Sequence, residues 1–356
     1  MAAIDLHRKR RRLSLTSIYS TYYLNRLVER IIPKSRYFLD RYFPTVVQSD
    51  KEEVFFDEDD GNKAGIMPFV HPLAEAPMLR SKGYHTKSYK PAYMKEKVDL
   101  KPDRGFHRLP GEAFGGELTP MQRAEQALLR DVNRLYERHR NRLELMAAEV
   151  VKTGKITIRG EGIDAVLDYG RDASLTKKLA GKGWGDSAAI PSITSWLEGL
   201  QREVASLNLT QSRPRNCILG YDAWDLFRNR PDIQKMLPEY VRGAELSVPQ
   251  TPGEASFEQL IYKGYYGNVH FWVHEGKSDD GQYYIQPKQA LFTCDDIKGV
   301  RHFGAILDLK AGLRAQPIFA KSWEIEDPSV RFVMLQSAPL LMTYDANTAC
   351  LVDVAA

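Results

Sequence analysis

Cysteine is scarce in this chain: Cys217, Cys294 and Cys350 are the only three among 356 residues. They are odd in number and far apart, so no disulfide framework or zinc knuckle can be read from them, and a reducing compartment is expected. Long apolar runs are also missing. No stretch approaches the roughly 18 uninterrupted apolar residues of a membrane span. The longest early run, residues 13–27, is broken by serine, threonine, asparagine and Arg26. Nor does the chain begin with the charged, apolar and small-residue regions of a signal peptide, so no export leader is expected.

Motifs of catalysis and cofactor binding are equally sparse. Thr153, Gly154 and Lys155 lack the upstream glycine of a phosphate-binding loop. Gly181, Lys182, Gly183, Trp184 and Gly185 are rich in glycine but neither follow a strand nor open a helix, and a mobile loop is expected there. No Gly-x-Ser-x-Gly elbow exists. His270 and His274 flank Trp272 on one strand face without a third ligand nearby, so sheet packing is the expected role. Phe56 stands where a calcium loop at 57–61 would need its first carboxylate. The expectation is a chain that is not an enzyme, with no cofactor, catalytic residue or metal site.

What is present begins with charge placement. Net charge is only +4, but residues 1–49 hold Arg8, Lys9, Arg10, Arg11, Arg12, Arg26, Arg30, Lys34, Arg36 and Arg41 against Asp5, Glu29 and Asp40. Tyr19, Tyr22, Tyr23, Tyr37, Phe38, Tyr42 and Phe43 lie between them. Rings at this density gain by burial, so an arm packed on something is expected rather than a disordered tail. Acidic residues follow at 52, 53 and 57–60, then a stretch to residue 110 punctuated by Pro68, Pro72, Pro77, Pro91, Pro102 and Pro110. So long a segment without a core of its own is rare in a compact chain unless functional, and an extended two-stranded arm lying over another molecule accounts for it.

Thr119, Pro120 and Gln122 form a helix start: an N-cap, a proline at the first position and a capping-box glutamine. Met121, Leu128, Val132, Leu135, Tyr136, Leu143, Met146 and Val150 recur at three- and four-residue steps until Gly154. One helix of over 30 residues is predicted, far beyond the usual dozen or so. His139 on its apolar face disfavours a lone coiled coil and favours packing on a sheet. A hairpin is predicted around residues 160–162, a second helix over 191–207, and a short strand over 217–221 with Asp222 capping the helix that follows. Beyond residue 260 strands dominate: 268–274, 290–294, 305–309, 317–324 and 331–344. Segregated helices and strands without βαβ alternation make the fold class α+β.

Several strings stand in a particular order. They run through Leu79 to Gly83, Tyr89 to Tyr93, Arg108 to Glu112, Gly160 with Glu161, Asp168 to Arg171, and Ala223 to Arg228. Lys263, Gly264, Tyr265, Tyr266 and Gly267 follow, then Trp323, Asp327 with Pro328, and finally Gln336, Ser337, Ala338, Pro339 and Leu340. From about residue 40 onward this order resembles the lambda-type major capsid (head) proteins of tailed phages, with Ala223 where that family's pattern has glycine.

The resemblance implies the Hong Kong-phage type of capsid fold. Residues 1–49 would be the N-terminal arm, 50–110 the extended β loop, 111–214 a peripheral domain with a spine helix over 119–153, 215–318 an axial domain, and 319–356 the return to the peripheral domain and C-terminus. Its expected partners are copies of itself, as hexamers and pentamers in an icosahedral virion shell assembled in the host bacterial cytoplasm, and non-specifically bound double-stranded DNA. A scaffold, a portal and a decoration protein at local three-fold positions belong to the same expectation; a membrane and intersubunit lysine–asparagine crosslinks do not. Tyr37, Phe38, Tyr42 and Phe43 are expected to anchor the arm in a neighbour, and Arg8, Lys9, Arg10, Arg11 and Arg12 to face DNA or scaffold. An encapsulin-like compartment shell and a helix-turn-helix regulator over 223–237 are the alternatives, the latter poorly served by Pro231.

Overall fold

A computed structural model describes the chain apart from residues 1–17, 52, 60–83, 102, 104–105, 109, 111, 113–117, 161–162, 182, 236–259, 279–280, 328 and 356. Arg8, Lys9, Arg10, Arg11, Arg12 and Pro328 therefore lie outside the described residues. Two short helices, α1 (Thr21–Arg30) and α2 (Tyr37–Tyr42), precede β1 (Thr45–Gln48). Strands β2 (Val54–Asp59) and β3 (Tyr84–Tyr89) pair antiparallel, as the two-stranded arm requires, but β4 (Met94–Leu100) leaves that pair and joins the body.

Helix α3 (Pro120–Thr153) has 34 residues and carries both halves of the capping box: Thr119 Oγ1 accepts from Gln122 N, and Gln122 Oε1 accepts from Thr119 N. Gly154 closes it at φ 69°, in the left-handed region where a Cβ is disfavoured. At 1.5 Å per residue the helix is about 50 Å long, enough to serve two cores. Leu128, Val132 and Leu135 pack with Leu24, Leu100, Val333 and Leu335, whereas Leu143, Met146, Ala147, Val150 and Val151 pack with Phe38, Phe43, Ile218 and Leu341. After it come the hairpin β5 (Lys155–Gly160) and β6 (Ile163–Asp168), strand β7 (Thr176–Lys178) and helix α4 (Ile193–Leu207), capped by Ser192.

The remaining elements are β8 (Asn216–Leu219), α5 (Tyr221–Arg228), β9 (Leu260–Tyr266), β10 (Val269–His274), β11 (Gln289–Thr293), β12 (Gly299–Phe303), β13 (Phe319–Ile325), β14 (Val330–Ser337), β15 (Pro339–Thr343) and β16 (Ala349–Asp353). Three main sheets result: β7-β16-β11-β8-β10-β9, β13-β14-β4, and β1-β12-β15. One face of the six-stranded sheet packs on α4 and α5 through Phe271, Phe292, Val352, Leu200 and Phe227. Ile218, Leu291 and Leu351, of opposite parity, face the α3 core. Mixed helix and sheet without a repeating βαβ unit is α+β.

Several expectations need correction. Asp222 lies in the first turn of α5 and Gly220 is its cap, a position where a Cβ would come within 2.1 Å of the Gln286 carbonyl. Residues 331–344 form two strands, because Pro339 has no N–H to continue a ladder and the chain changes sheet there. At 305–309 the chain makes one isolated bridge and a 3-10 turn, while the neighbouring β12 is the strand. The loop around Trp184 is clamped: Trp184 is buried, its backbone N–H donates to Val354 O at 3.0 Å, and Arg230 Nη1 donates to its carbonyl at 2.6 Å. Strands β7 and β16 belong to the six-stranded sheet, and α4 packs on it.

Candidate functional site

The expected anchor rings are buried within their own chain. Tyr37, Phe38, Tyr42 and Phe43 are at most 3% exposed and sit between α3, His274, Tyr284 and β12. Tyr42 Oη lies 2.9 Å from Thr293 Oγ1 and Tyr37 Oη 3.2 Å from Tyr42 Oη. The seat for Phe43 is Gly299, where a Cβ would meet the ring at 2.4 Å. Burial of these rings was rightly required by the sequence, but the same chain supplies it. They are not available to a neighbour while the arm is so folded.

A polar network completes the arm's attachment. Helix α2 lacks a side-chain cap of its own, and Glu144 of α3 supplies one, accepting from Phe38 N at 2.9 Å and Leu39 N at 2.8 Å. Burial raises the Glu144 carboxyl to about 7 against the lowering effect of those two bonds; Asp40 adds to the rise and Arg36 opposes it. Arg140 grips both oxygens of Asp40 at 3.0 and 2.8 Å, with Arg301 at 3.7 Å. Arg36 pairs with Glu137 at 3.0 Å and also bonds Asn141. The arm is thus fixed to α3 along two turns, from Glu137 to Glu144.

The recurrent strings occupy structural corners. Gly264, at φ 119°, forms the bulge of edge strand β9, and Gly267, at φ 59°, makes the turn into β10. Tyr266 stacks edge-on to Phe227 at 6.0 Å and its hydroxyl meets Thr194 Oγ1 at 2.6 Å, tying β9 to α4 and α5, while Lys263 is exposed. Trp323 stacks on Phe332 across β13 and β14 at 5.5 Å. Gln336 accepts from Tyr93 Oη at 2.6 Å and donates to Asp308 Oδ2 at 3.1 Å. Ser337 Oγ donates to Pro317 O, Ala338 O accepts from Gly304 N, Pro339 opens β15, and Leu340 is wholly buried. The string is a junction where one sheet hands the chain to another.

Two further groups escaped sequence reasoning. Arg171 donates to the carbonyls of Val151, Lys152, Leu175 and Ala349, capping the end of α3. Burial lowers its guanidinium to about 10. Asp308 caps a 3-10 turn and binds both Lys321 and Gln336. Its only signal was an Asp two residues before Lys310, too common to single out. His270 bonds Tyr262 Oη at 2.9 Å, and His274 accepts Gly276 N–H at 3.1 Å; both serve the sheet.

The polar groups described here join segments of the chain. The chain is 27% identical over 341 residues to the major capsid protein of Escherichia phage N15, covering 93% of this chain and 97% of that protein. It is 24% identical over 350 residues to the major capsid protein of Escherichia phage lambda, covering 95% and 100%. A crystal structure of a protein described as a prophage capsid protein from E. coli CFT073 superposes with a TM-score of 0.71 at 21% identity, over 94% of this chain and 99% of that one, and shares the fold. The family model for phage major capsid protein E matches residues 20–354, and the chain belongs to that family.

Proposed function

We propose that the chain is the shell subunit of a tailed-phage head, assembling as hexamers and pentamers into an icosahedral wall around double-stranded DNA. The observation that carries this reading is the family match over residues 20–354. The fold is consistent with it: α3 stiffens the body across two cores, and the β2–β3 pair stands as a separate two-stranded sheet that a neighbour can receive. In domain terms, α3, the β5–β6 hairpin and the β13-β14-β4 sheet form the peripheral part. The six-stranded sheet with α4 and α5 forms the axial part.

Closure of such a wall requires heterologous contacts that curve back on themselves, and several modest contacts per subunit make it durable through high effective concentration. The basic residues Arg8, Lys9, Arg10, Arg11 and Arg12 suit phosphate contact independent of sequence, or a scaffold. A portal and a decoration protein complete the partners, with assembly in the bacterial cytoplasm. Replacing all five basic residues by alanine is expected to leave particles that form but hold less nucleic acid at raised salt. Unchanged DNA content and salt response would remove the DNA-facing assignment. Particles seen by negative stain and sedimentation are the test of the shell reading itself.

A further inference from the structure

The turn over residues 305–315 is braced far more firmly than its exposure demands. Ile306 N donates to Arg314 O at 3.1 Å, Ala315 N to Asp50 Oδ1 at 2.6 Å, and Ala305 and Ala315 form a bridge. Ile306 and Ala311 pack inward with Phe319 and Tyr93. Asp308 caps Lys310 N, pairs with Lys321 and receives Gln336 from the family string. What this frame presents is apolar. Of the four exposed leucines among the described residues, three stand here: Leu307 at 67%, Leu309 at 87% and Leu313 at 51%. Leu313 also holds φ 55°, a left-handed conformation uncommon for a residue other than glycine, held by its N–H bond to Asp308 O at 3.4 Å. Exposed Lys310 and Arg314 form a basic rim.

The opposite end of β13 is its complement. The β13–β14 turn exposes Ile325 at 45%, among exposed Glu324, Glu326 and Asp327. The basic-rimmed apolar knob precedes β13 and the apolar tip, rimmed by Glu326 and Asp327 while Glu324 pairs with Arg331, closes it; the seven extended residues of β13 between them span about 20 Å. Within one copy the two cannot meet. Between copies, head to tail, they match in polarity and charge, an arrangement that steers register as well as burying the apolar centre.

We propose that Leu307, Leu309 and Leu313 dock on the acidic β13–β14 turn of a second copy, with Lys310 and Arg314 facing Glu326 and Asp327. The inference deepens the shell-subunit reading and rests on it. Under conditions where the wild-type chain forms particles, K310E/R314E and E326K/D327K are each expected to raise the critical subunit concentration at least tenfold. The four substitutions together are expected to restore it to within about threefold of wild type. Melting curves of the dispersed subunits report folding, which these exposed positions should not alter. In L309C the maleimide labelling rate is expected to fall at least tenfold from subunits to particles; the three native cysteines are buried. Either pair assembling like wild type, a quadruple variant no better than its parents, or equal labelling in both states would overturn the proposal. A wild-type chain that never forms particles would instead overturn the shell reading, and this inference with it.

Discussion

Glu144, in the C-terminal third of a 34-residue helix, accepts the backbone N–H groups of both Phe38 and Leu39 and so caps a helix more than 100 residues earlier in the chain. A buried carboxylate in that position joins the arm to the body, and its removal has a definite cost. Glu144→Ala leaves two buried donors without an acceptor, expected to destabilise the subunit by about 2–4 kcal/mol. Chemical denaturation measures the loss, and faster tryptic cleavage beside the exposed Lys34 is expected to report release of the arm.

The pH dependence of stability carries opposing contributions. Glu144 titrates near 7 when folded against an ordinary 4.5, so the folded state binds the extra proton. Its contribution is fully present below about 4.5 and is lost as pH rises through 7. Burial lowers His139 and His274 to about 4, with Arg140 and Lys152 respectively adding to the effect. Their contributions are present above 6.5 and are lost as pH falls toward 4. Two histidines against one glutamate should make the subunit less stable at pH 5 than at pH 7. The ring nitrogens of His139 have no hydrogen-bond partner among the described residues, so His139→Leu should make the subunit less acid-sensitive; an unchanged melting profile between pH 5 and 7 would contradict this.

Gly299→Ala tests the seat of Phe43. The new methyl would lie 2.4 Å from both the ring and the Tyr42 carbonyl. Such overpacking costs about 1–3 kcal/mol, and the arm should again become more open to protease.

Arg171→Lys removes the fork that serves four carbonyls from three segments. A lysine keeps the charge but cannot span them, so a loss of about 2–4 kcal/mol is expected. Amide exchange should quicken in the last turn of α3 before it does elsewhere in that helix.

Legibility followed the range of the forces involved. Helix α3 was readable to within a residue because its capping box, periodic apolar stripe and closing Gly154 are all local. The β5–β6 hairpin and α4 were readable for the same reason. Strands β1, β12 and β16 were not. β1 has four residues, all exposed; β12 mixes Gly299, Arg301 and His302 with its apolar residues; β16 is a five-residue piece defined by its place beside β11. Where Tyr37, Phe38, Tyr42 and Phe43 pack within the chain was the least legible feature. Composition demands that such rings be buried, but only tertiary structure says that Gly299, Glu144 and Thr293 of the same chain provide the site.

Sedimentation velocity of the purified chain, followed by negative-stain imaging of the fastest fraction, tests the central claim most directly. A shell subunit is expected to yield large, closed, uniformly sized particles whose L309C variant is shielded from maleimide. A chain that remains a monomer or small oligomer under every assembly condition, with its arm still protected from protease, would contradict the account.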